Sequence, residues 1–493
     1  MIEPMRIESD RRYRAIVVGL LLVFAASFFY YALASQQADP DTFWHIATGR
    51  YIVSHRVIPM ADVFSWYGIE HDLSWLPQSW LFGVVAYAVW LIGGFRLLYV
   101  ATALVGAATV GLVYCLFARR SGNRLLAITA SVLCAWGLSP LIAPRPQMLT
   151  YLLLVGLALL LEHKKWWWAV PVVLLGVNVH GPIYPVYLAV VAYYTLPRRW
   201  PVLAACTAAV LATPSGLALL PYPFLSILGT GSSPVQEFVP VAPIEWPAYL
   251  IALLVILLLL NRQAIRLRDL TGLLLLVVVS LTASRHMVFM YLLALPLAAP
   301  YLELPSERRA RAVGASSGAP SDDRTARSVR AIGTARGATV VRLLDWALVG
   351  VLVAGALFRI ASALTLPVDP SRGYPEQASR YLQTHGITRY FNEWDDGGFL
   401  ILSGMNPLID GRAEQYFPYP GRRRVTMGAE YLEVWYLAAD CRPFLARNGI
   451  SHLLLRRSSP LTRVLEQSPA FREVYSDNTF IVYERSASAT SAL

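Results

Sequence analysis

Long apolar stretches joined by short charged loops most limit what this chain can fold into. The first apolar stretch, residues 15–34, is long enough to cross a bilayer as a helix. Hydrophobic residues make up 56% of the 493 residues and charged residues only 15%, a balance more apolar than that of ordinary soluble proteins. The sequence therefore predicts a membrane protein with many spanning helices.

Ten further apolar segments follow the first one. They fall near residues 96–118, 124–142, 147–161, 166–179, 183–196, 201–213, 248–260, 270–284, 287–302 and 343–362. Together they predict a mainly α fold, a polytopic transmembrane bundle of about eleven helices. No small-residue cleavage site follows residues 15–34, so we interpret this stretch as a retained anchor and not a signal peptide.

Basic residues mark one side of this predicted bundle. Arginines precede the first span, and Arg119-Arg120, Arg198-Arg199 and the stretch 262–268 fall in loops on the same side. Because Lys and Arg are enriched in cytoplasmic loops, this pattern places the N-terminus in the cytoplasm. The formal net charge of +11 then reflects these loops, and nucleic-acid binding is not expected.

Residues 76–94 are apolar but do not fit this alternation as a span. Counting them would invert every later loop and place Arg119-Arg120 outside. We therefore predict a helix in or along the outer interface, within a first large loop that runs from about residue 35 to 95.

Three regions follow from these assignments. Residues 1–302 form the membrane module. Residues 303–342, rich in Arg, Gly, Ala and Ser, predict a cytoplasmic linker before the last span, 343–362. Residues 363–493 predict a soluble extracytoplasmic α/β domain. Its expected elements are a helix from Tyr374 to His385, a buried strand over 449–455, and a hairpin of 471–475 with 479–484.

Polar residues that suit chemistry gather on the predicted outer side. They are Asp39, Asp41, His45, Asp62, His71, Arg145, Asn178, His180, Arg285 and His286. A carboxylate can deprotonate a hydroxyl or hold a divalent cation such as Mg²⁺ or Mn²⁺, and Arg and His can bind phosphate. A carboxylate beside a phosphate site at a membrane surface suits a substrate whose lipid tail stays in hydrocarbon.

The same residues carry a resemblance to a known family. The run Asp39–Trp44, with Gly49-Arg50, Ile58-Pro59, Asp62 and Phe64-Ser65, resembles the first outer loop of bacterial GT-C-type glycosyltransferase relatives. These are akin to protein mannosyltransferases and lipid A aminoarabinose transferases. Further matches are Arg145-Pro146, Asn178-Val179-His180-Gly181, Pro214-Ser215-Gly216, Arg285-His286, Gly397-Gly398 and Asp410-Gly411-Arg412.

The resemblance implies a glycosyltransferase of the bacterial inner membrane. Enzymes of this group place an acidic motif in the first outer loop, take sugar from a polyprenyl-phosphate donor and typically invert the anomeric centre. The acceptor could be a lipid, a glycan or a protein. The best-known relatives have adjacent acids, whereas this chain has Asp39-Pro40-Asp41, so the identity of the base stays open between the two.

Each candidate residue then has an expected role. Asp41 is the favoured base because His45, four residues on, can share its helical face, and Asp39 is its partner or a metal ligand. Arg145, Arg285 and His286 would bind the donor phosphate. The residues expected to position substrate are Asn178, His180, Asp62 and His71.

Two other classes of function fit parts of the pattern. A lipid or glycan transporter or flippase also needs polar residues in membrane helices, but usually near the bilayer midplane and in repeated halves. A noncatalytic envelope scaffold would use the acidic loop for structure alone. In that case Asp39 and Asp41 cap a helix, and Arg285 and His286 extend to the lipid headgroups.

Overall fold

A helical bundle and a small C-terminal sheet make up the part of the chain that is described. The computed structural model describes residues 3–224, 265–302 apart from 283, most of 347–362, 366–417 and 426–486. The predicted span 248–260, the linker 303–342 and part of the last span lie outside the described residues. The fold is mainly helical, as predicted.

Several helices of the first part follow the predicted apolar stretches, and two, over residues 40–55 and 66–70, lie in the first large loop, where no span was predicted. They are α1 (Glu3–Ser35), α2 (Pro40–His55), α3 (Trp66–Glu70), α4 (Trp80–Ser121), α5 (Arg124–Leu138), α6 (Pro146–Glu162), α7 (Ala169–Val179), α8 (Tyr184–Thr195) and α9 (Trp200–Val210). After the gap come α10 (Leu267–Thr282), a 3-10 turn (Ser284–Met287), a π turn (Met290–Ala294) and α11 (Leu295–Ala298). Among the described helices, Ala15–Ser35, Trp80–Ser121 and Arg124–Leu141 are long and apolar enough to cross a membrane, and several shorter apolar helices accompany them.

Helix α4 corrects the expected boundary of the interfacial segment. A helix over 76–94 was expected, but α4 begins at Trp80 and continues to Ser121 with non-helical backbone angles at Gly93 and Gly94. A straight helix of 42 residues would be about 63 Å long, about twice the hydrocarbon thickness. The glycine pair separates residues 80–92 from the longer helical segment after it. The predicted boundary between the interfacial helix and the following span therefore coincides with this pair.

Several helices begin at residues whose types favour helix N-termini. Asp39 caps α2 by accepting hydrogen bonds from the backbone N–H groups of Asp41 and Thr42, and Pro40 occupies the first turn. Asn123 caps α5 in the same way, with its side chain accepting from Leu126 N. Pro146 starts α6, directly after Arg145. These caps place Asp39, Asp41 and Arg145 at helix N-termini.

The C-terminal sheet has four strands in the order β1-β2-β4-β3. The strands are β1 (Tyr390–Asn392), β2 (His452–Arg456), β3 (Phe471–Ser476) and β4 (Phe480–Arg485). β1 pairs in parallel with β2, whereas β4 is antiparallel to both β2 and β3. The predicted strand and hairpin are therefore confirmed. The surrounding helices are α12 (Glu376–Thr384), α13 (Gly397–Leu402), α14 (Met427–Trp435), α15 (Cys441–Arg447) and α16 (Pro460–Leu465).

Close glycine contacts hold α2 between the bundle and the sheet region, residues 374–486. A Cβ on Gly49 would lie 2.0 Å from the carbonyl oxygen of Gly83, so α2 and α4 cross with their backbones in contact. On the other side, a Cβ on Gly398 would lie 2.2 Å from the carbonyl oxygen of Pro40. Phe43 packs its ring on Tyr374 and Phe399 at the same junction. The N-terminus of α2 is thereby fixed from both sides.

Candidate active site

An arginine between two aspartates forms the centre of the candidate site. Arg145 donates from Nε to Oδ1 of Asp39 at 2.8 Å, and its Nη2 lies 2.6 Å from Oδ2 of the same carboxylate. The same Nη2 is 3.3 Å from Oδ2 of Asp41. We call these three residues the cavity cluster. Its members come from the first large loop and from the start of α6, so the fold joins residues that are more than a hundred positions apart.

The two aspartates differ in how their oxygens are used. Asp39 caps α2 and binds Arg145 in bidentate fashion, an arrangement suited to holding the helix start in place. Asp41 accepts a hydrogen bond from the Trp44 indole at 3.0 Å and has the longer contact with Arg145. Its side chain is 23% exposed, against 17% for Asp39. Asp41 is therefore the more accessible carboxylate of the pair.

A cavity of about 380 Å³ opens beside this cluster. Asp39 and Arg145 line it, and Asp41 adjoins it through Arg145. Leu33 near the end of α1, Tyr99 of α4 and the apolar segment 140–144 before α6 form one part of the wall, and Arg285 adds a second guanidinium. A cavity with an apolar wall and convergent cations suits an amphiphile that has an anionic head.

The sheet region contributes the remaining wall. Tyr374, Asp395 and Arg456 line the cavity, and the Tyr374 hydroxyl donates to the carbonyl oxygen of Ala38 at 2.5 Å. Asp395 is exposed and lies close enough to Asp39 and Arg145 for their charges to act on it. The cavity is therefore enclosed by distant parts of the chain, and the contact between Tyr374 and Ala38 joins residues 336 positions apart.

Arg456 is held by carboxylates behind the cavity wall. Its Nε lies 3.2 Å from Oε2 of Glu393, and its Nη2 donates to Oδ1 of Asp396. Asp396 is fully buried, and burial, which outweighs the attraction of Arg456, raises the pKa of its carboxyl to about 8. Asp396 thus titrates in direct contact with a cavity arginine.

His45 lies beneath the site and not at its surface. Its ring packs at 3.7 Å on Trp44 and edge-on against Phe82. Burial, and next the charges of Arg145 and His180, lower the pKa of His45 well below its usual value. Among the described residues, no group forms a hydrogen bond with its Nδ1. The predicted catalytic histidine is therefore a buried, neutral ring below Asp41.

The remaining predicted site residues differ in what their side chains contact. His180 follows α7, shares a hydrogen bond with Thr150 at 3.3 Å and lies within the field of Arg285. Asn178 accepts from the Trp80 indole and donates to the carbonyl oxygen of Ala212, so it ties three helices together. His286 faces Phe289. His71 is exposed at the end of α3, where it stacks on Tyr67.

Asp62 belongs to a second charged group that is completely buried. Arg412 contacts Oδ1 of Asp62 at 2.9 Å and forms a bidentate pair with Asp410 at 2.7 and 2.6 Å. The guanidinium lies between the rings of Phe64 and Trp75, about 5 Å from each centroid. We call Arg412, Asp62 and Asp410 the buried cluster. It joins the first large loop to the sheet region, and it explains the Asp410-Gly411-Arg412 motif better than substrate contact does.

Metal binding by Asp39 and Asp41 does not fit the arrangement of their side chains. The guanidinium of Arg145 occupies the space between the two carboxylates that a bridging cation would need. Within the described ranges, no group of three or more His, Cys, Asp and Glu side chains is placed to hold a metal ion. In this arrangement the two aspartates are therefore ligands of Arg145.

Sequence reasoning missed Asp395, Arg456 and Tyr374 as cavity residues. Gly397-Gly398 was the available signal, because a glycine pair directly after two acids indicates a close backbone approach. The approach in question is that of α13 to the start of α2. This contact brings Asp395 to the cavity.

Two solved structures share this fold. ArnT from Cupriavidus metallidurans, bound to undecaprenyl phosphate, matches with a TM-score of 0.50 and 14% identity over 97% of this chain and 99% of its own. The archaeal oligosaccharyltransferase AglB from Archaeoglobus fulgidus, in complex with an inhibitory peptide and a dolichol-phosphate, matches with a TM-score of 0.54 and 12% identity. That match covers 97% of this chain and 75% of the other.

The likeness to these two structures is one of fold. It agrees with the fold that the resemblance in the sequence motifs implied, and with a multi-pass membrane protein. No protein-family model matches the chain, and no curated protein matches its sequence.

Proposed function

We propose that this chain is a membrane glycosyltransferase that moves a sugar from a polyprenyl-phosphate-linked donor to an envelope acceptor. The observation that carries the proposal is the cavity cluster, which places two carboxylates and a guanidinium beside an amphiphilic cavity. Both neighbours in fold hold a polyprenyl phosphate, undecaprenyl phosphate in one and dolichol-phosphate in the other. A lipid phosphate with its chain against the apolar wall suits this cavity.

The reaction is a single displacement in which Asp41 is the general base. Asp41 takes the proton of an acceptor hydroxyl, and the hydroxyl oxygen attacks the anomeric carbon of the sugar. The bond from that carbon to the phosphate oxygen breaks, and the polyprenyl phosphate leaves with the electron pair. One attack from the opposite face inverts the anomeric centre. Asp41 is preferred to Asp39 because it is the more exposed of the two and Asp39 serves as cap and arginine ligand.

The arginines stabilise the leaving group. Negative charge grows on the phosphate as the bond to the sugar breaks, and fixed guanidinium groups in a partly dry cavity stabilise that charge. Arg285 lines the cavity, and Arg145 is oriented by its bidentate pair with Asp39. Arg456, from the sheet region, is a third cation on the same wall. His180 lies within the field of Arg285, and its proposed role is to position the sugar.

The setting proposed for this reaction is the outer face of a bacterial inner membrane. The basic loops support it, since they lie at the other end of the bundle from the cavity. This orientation puts the sheet region outside the cytoplasm. The acceptor, whether a lipid, a glycan or a protein, would then enter from that side, where Asp395 is exposed.

The test compares envelope glycolipids and glycans by mass spectrometry in matched strains. One strain lacks the gene, one carries the intact gene, and one carries Asp41→Asn at equal membrane abundance. A sugar-bearing mass present with the intact chain should be missing in both others. The missing mass identifies the transferred sugar and its acceptor.

Asp72→Asn is the matched control. Asp72 is an exposed acid in the same first large loop, and Asn tolerates its left-handed backbone conformation. This strain should keep the intact profile. A wild-type profile with Asp41→Asn would contradict the proposed base. Unchanged sugar masses in the null strain, with a lipid accumulating on one membrane face, would instead favour a flippase.

A further inference from the structure

Two loops at the end of the bundle remote from the cavity expose tryptophans beside basic residues. The loop between α6 and α7 carries Lys164, Lys165, Trp167 and Trp168, and the loop between α8 and α9 carries Arg198 and Arg199, directly before Trp200 at the start of α9. Trp167 is 62% exposed, Trp168 61% and Trp200 64%. We call these seven residues the Trp–Arg patch. Large exposed indoles beside cations indicate a binding surface.

The fold joins the two loops into one surface. The Arg199 guanidinium lies 5.5 Å from the centre of the Trp166 ring, so a residue of the second loop is seated on the first. Glu162, at the end of α6, accepts from Arg120 at 3.1 Å and thereby fixes the first loop to the end of α4. The patch is therefore assembled by tertiary contacts between loops some thirty residues apart.

The patch carries a net positive charge. Among the described side chains, no carboxylate lies within 4 Å of Lys164, Lys165, Arg198 or Arg199. The nearby acids Glu162 and Asp269 both contact Arg120 instead. The four cations are exposed and their charge is available to an anionic partner.

The position of the patch along the bundle indicates which kind of partner it binds. Helix α6 runs from Pro146, beside the cavity cluster, to Glu162, next to the patch, and its 17 residues span about 25 Å. This length is close to the hydrocarbon thickness of about 30 Å, so the patch and the cavity lie near opposite surfaces of the bilayer. Tryptophan rings favour the headgroup level, and each Lys or Arg there attracts anionic lipid.

We propose that the Trp–Arg patch binds anionic phospholipid headgroups in the leaflet opposite the cavity. The indoles of Trp167, Trp168 and Trp200 lie at the interface, and the four cations contact lipid phosphates around them. This site differs in place and in ligand from the cavity for the polyprenyl phosphate, and it does not depend on the proposed reaction.

Native mass spectrometry of the full-length chain tests this site. The protein is exchanged into mixed phosphatidylglycerol and phosphatidylcholine, and the ratio of the two lipids retained is measured. Replacing Lys164, Lys165, Arg198 and Arg199 together with Gln should lower the preference for phosphatidylglycerol at least about tenfold, since each Lys or Arg near a membrane surface attracts anionic lipid. The cavity is untouched by these changes, so binding of polyprenyl phosphate should persist.

The matched control removes four exposed cations elsewhere. Arg380, Arg442, Arg447 and Arg472, all of the sheet region, are changed to Gln, and the lipid ratio should stay at the wild-type value. Equal loss in both variants overturns the proposal. If the patch variant fails to fold, salt titration of the wild-type chain decides. Its preference for phosphatidylglycerol must fall as ionic strength rises, and an unselective or salt-independent lipid ratio refutes the site.

Discussion

The cavity cluster and the buried cluster are built from the same parts and differ in solvent access. Each sets one arginine between two aspartates, and each joins the first large loop to another part of the chain. In the buried cluster all three side chains have 0% exposure, whereas those of the cavity cluster keep 17–23%. A charge that no solvent or ligand can reach serves structure, while a partly exposed charge beside a cavity can serve chemistry.

The surroundings of the two arginines reinforce this difference. Arg412 is enclosed by the rings of Phe64 and Trp75, and the hydroxyl of Tyr416 donates to Asp410 at 2.5 Å, so every side of the group is packed. Arg145 has carboxylates on one side and the cavity on another. Residue type and spacing are therefore insufficient to assign a role, and burial decides it.

A single glycine connects the two clusters. Gly411 lies between Asp410 and Arg412 in the chain, and a Cβ at this position would lie 2.2 Å from Oδ1 of Asp41. The buried cluster therefore holds its own connecting backbone against the proposed base. This contact makes the position of Asp41 depend on a structural ion pair.

The largest stability effect should come from removing the buried cation. Arg412→Leu leaves Asp62 and Asp410 buried without a counter-charge, and we expect a loss of about 3–5 kcal/mol in the free energy of unfolding. Thermal unfolding in detergent measures it. Arg442→Leu removes an exposed arginine that pairs with Asp440 in solvent and should leave the unfolding midpoint almost unchanged. Equal midpoints for the two variants would contradict the structural role of the buried cluster.

Gly411→Ala tests the connection between the clusters. The new methyl group meets the end of the Asp41 side chain, which can rotate away at little cost in stability. A displaced base is expected to lower transfer about a hundredfold, because misplacement by 1 Å can cost that much. Product accumulation and the unfolding midpoint are measured together. Gly19→Ala, where a Cβ meets open space, is the control. Unchanged transfer by Gly411→Ala would disprove the connection.

A separate effect concerns the pH dependence of the free energy of unfolding at Asp396. Its pKa is raised to about 8 in the folded chain by burial, whereas the unfolded value is about 3.9. The folded state therefore binds the proton more tightly, so this contribution is present below about pH 4 and is lost as pH rises towards 8. Stability should fall by at most about 1.4 kcal/mol per pH unit in that window.

Asp396→Asn removes this titration. Unfolding midpoints measured from pH 5 to 9 should vary less with pH in the variant than in the wild type. The facing groups Glu393, Asp395 and Arg456 remain in both proteins, so the difference isolates Asp396. The wild-type slope persisting in Asp396→Asn would show that another group is responsible.

Local features of the fold were predictable, and long-range partners were not. Asp39, Asn123 and Pro146 mark helix starts in the sequence, and apolar length predicted α5, α6 and the end of α1 to within a few residues, whereas α1 begins at Glu3, twelve residues before the predicted start. No local sequence pattern predicts that Arg145 pairs with Asp39 and Asp41. Asp395 and Arg456 reach the cavity because α13 packs on α2, and no spacing rule predicts such a contact.

Burial separates predicted site residues that the sequence alone does not distinguish. Asp62 and Asp41 are both acids in the first large loop and look alike in the sequence. Asp62 is enclosed with Arg412, a partner 350 residues away, whereas Asp41 keeps an exposed face. His45 follows Asp41 at helical spacing, as predicted, but the rings of Trp44 and Phe82 cover it. A polar residue can be buried wherever tertiary contacts exclude solvent from its side chain.

Binding of a lipid phosphate tests the central claim most directly, because it needs no knowledge of sugar or acceptor. The affinities of the purified chain for a short polyprenyl phosphate and for the matching polyprenol are compared by calorimetry, in the wild type and in Arg285→Gln. Arg96→Gln, an exposed arginine of α4 outside the cavity wall, is the control. We predict that the wild type and the control prefer the phosphate and that Arg285→Gln loses about tenfold or more of that preference. Equal affinity of the wild type for both lipids, or an unchanged preference in Arg285→Gln, would contradict a phosphate site in this cavity.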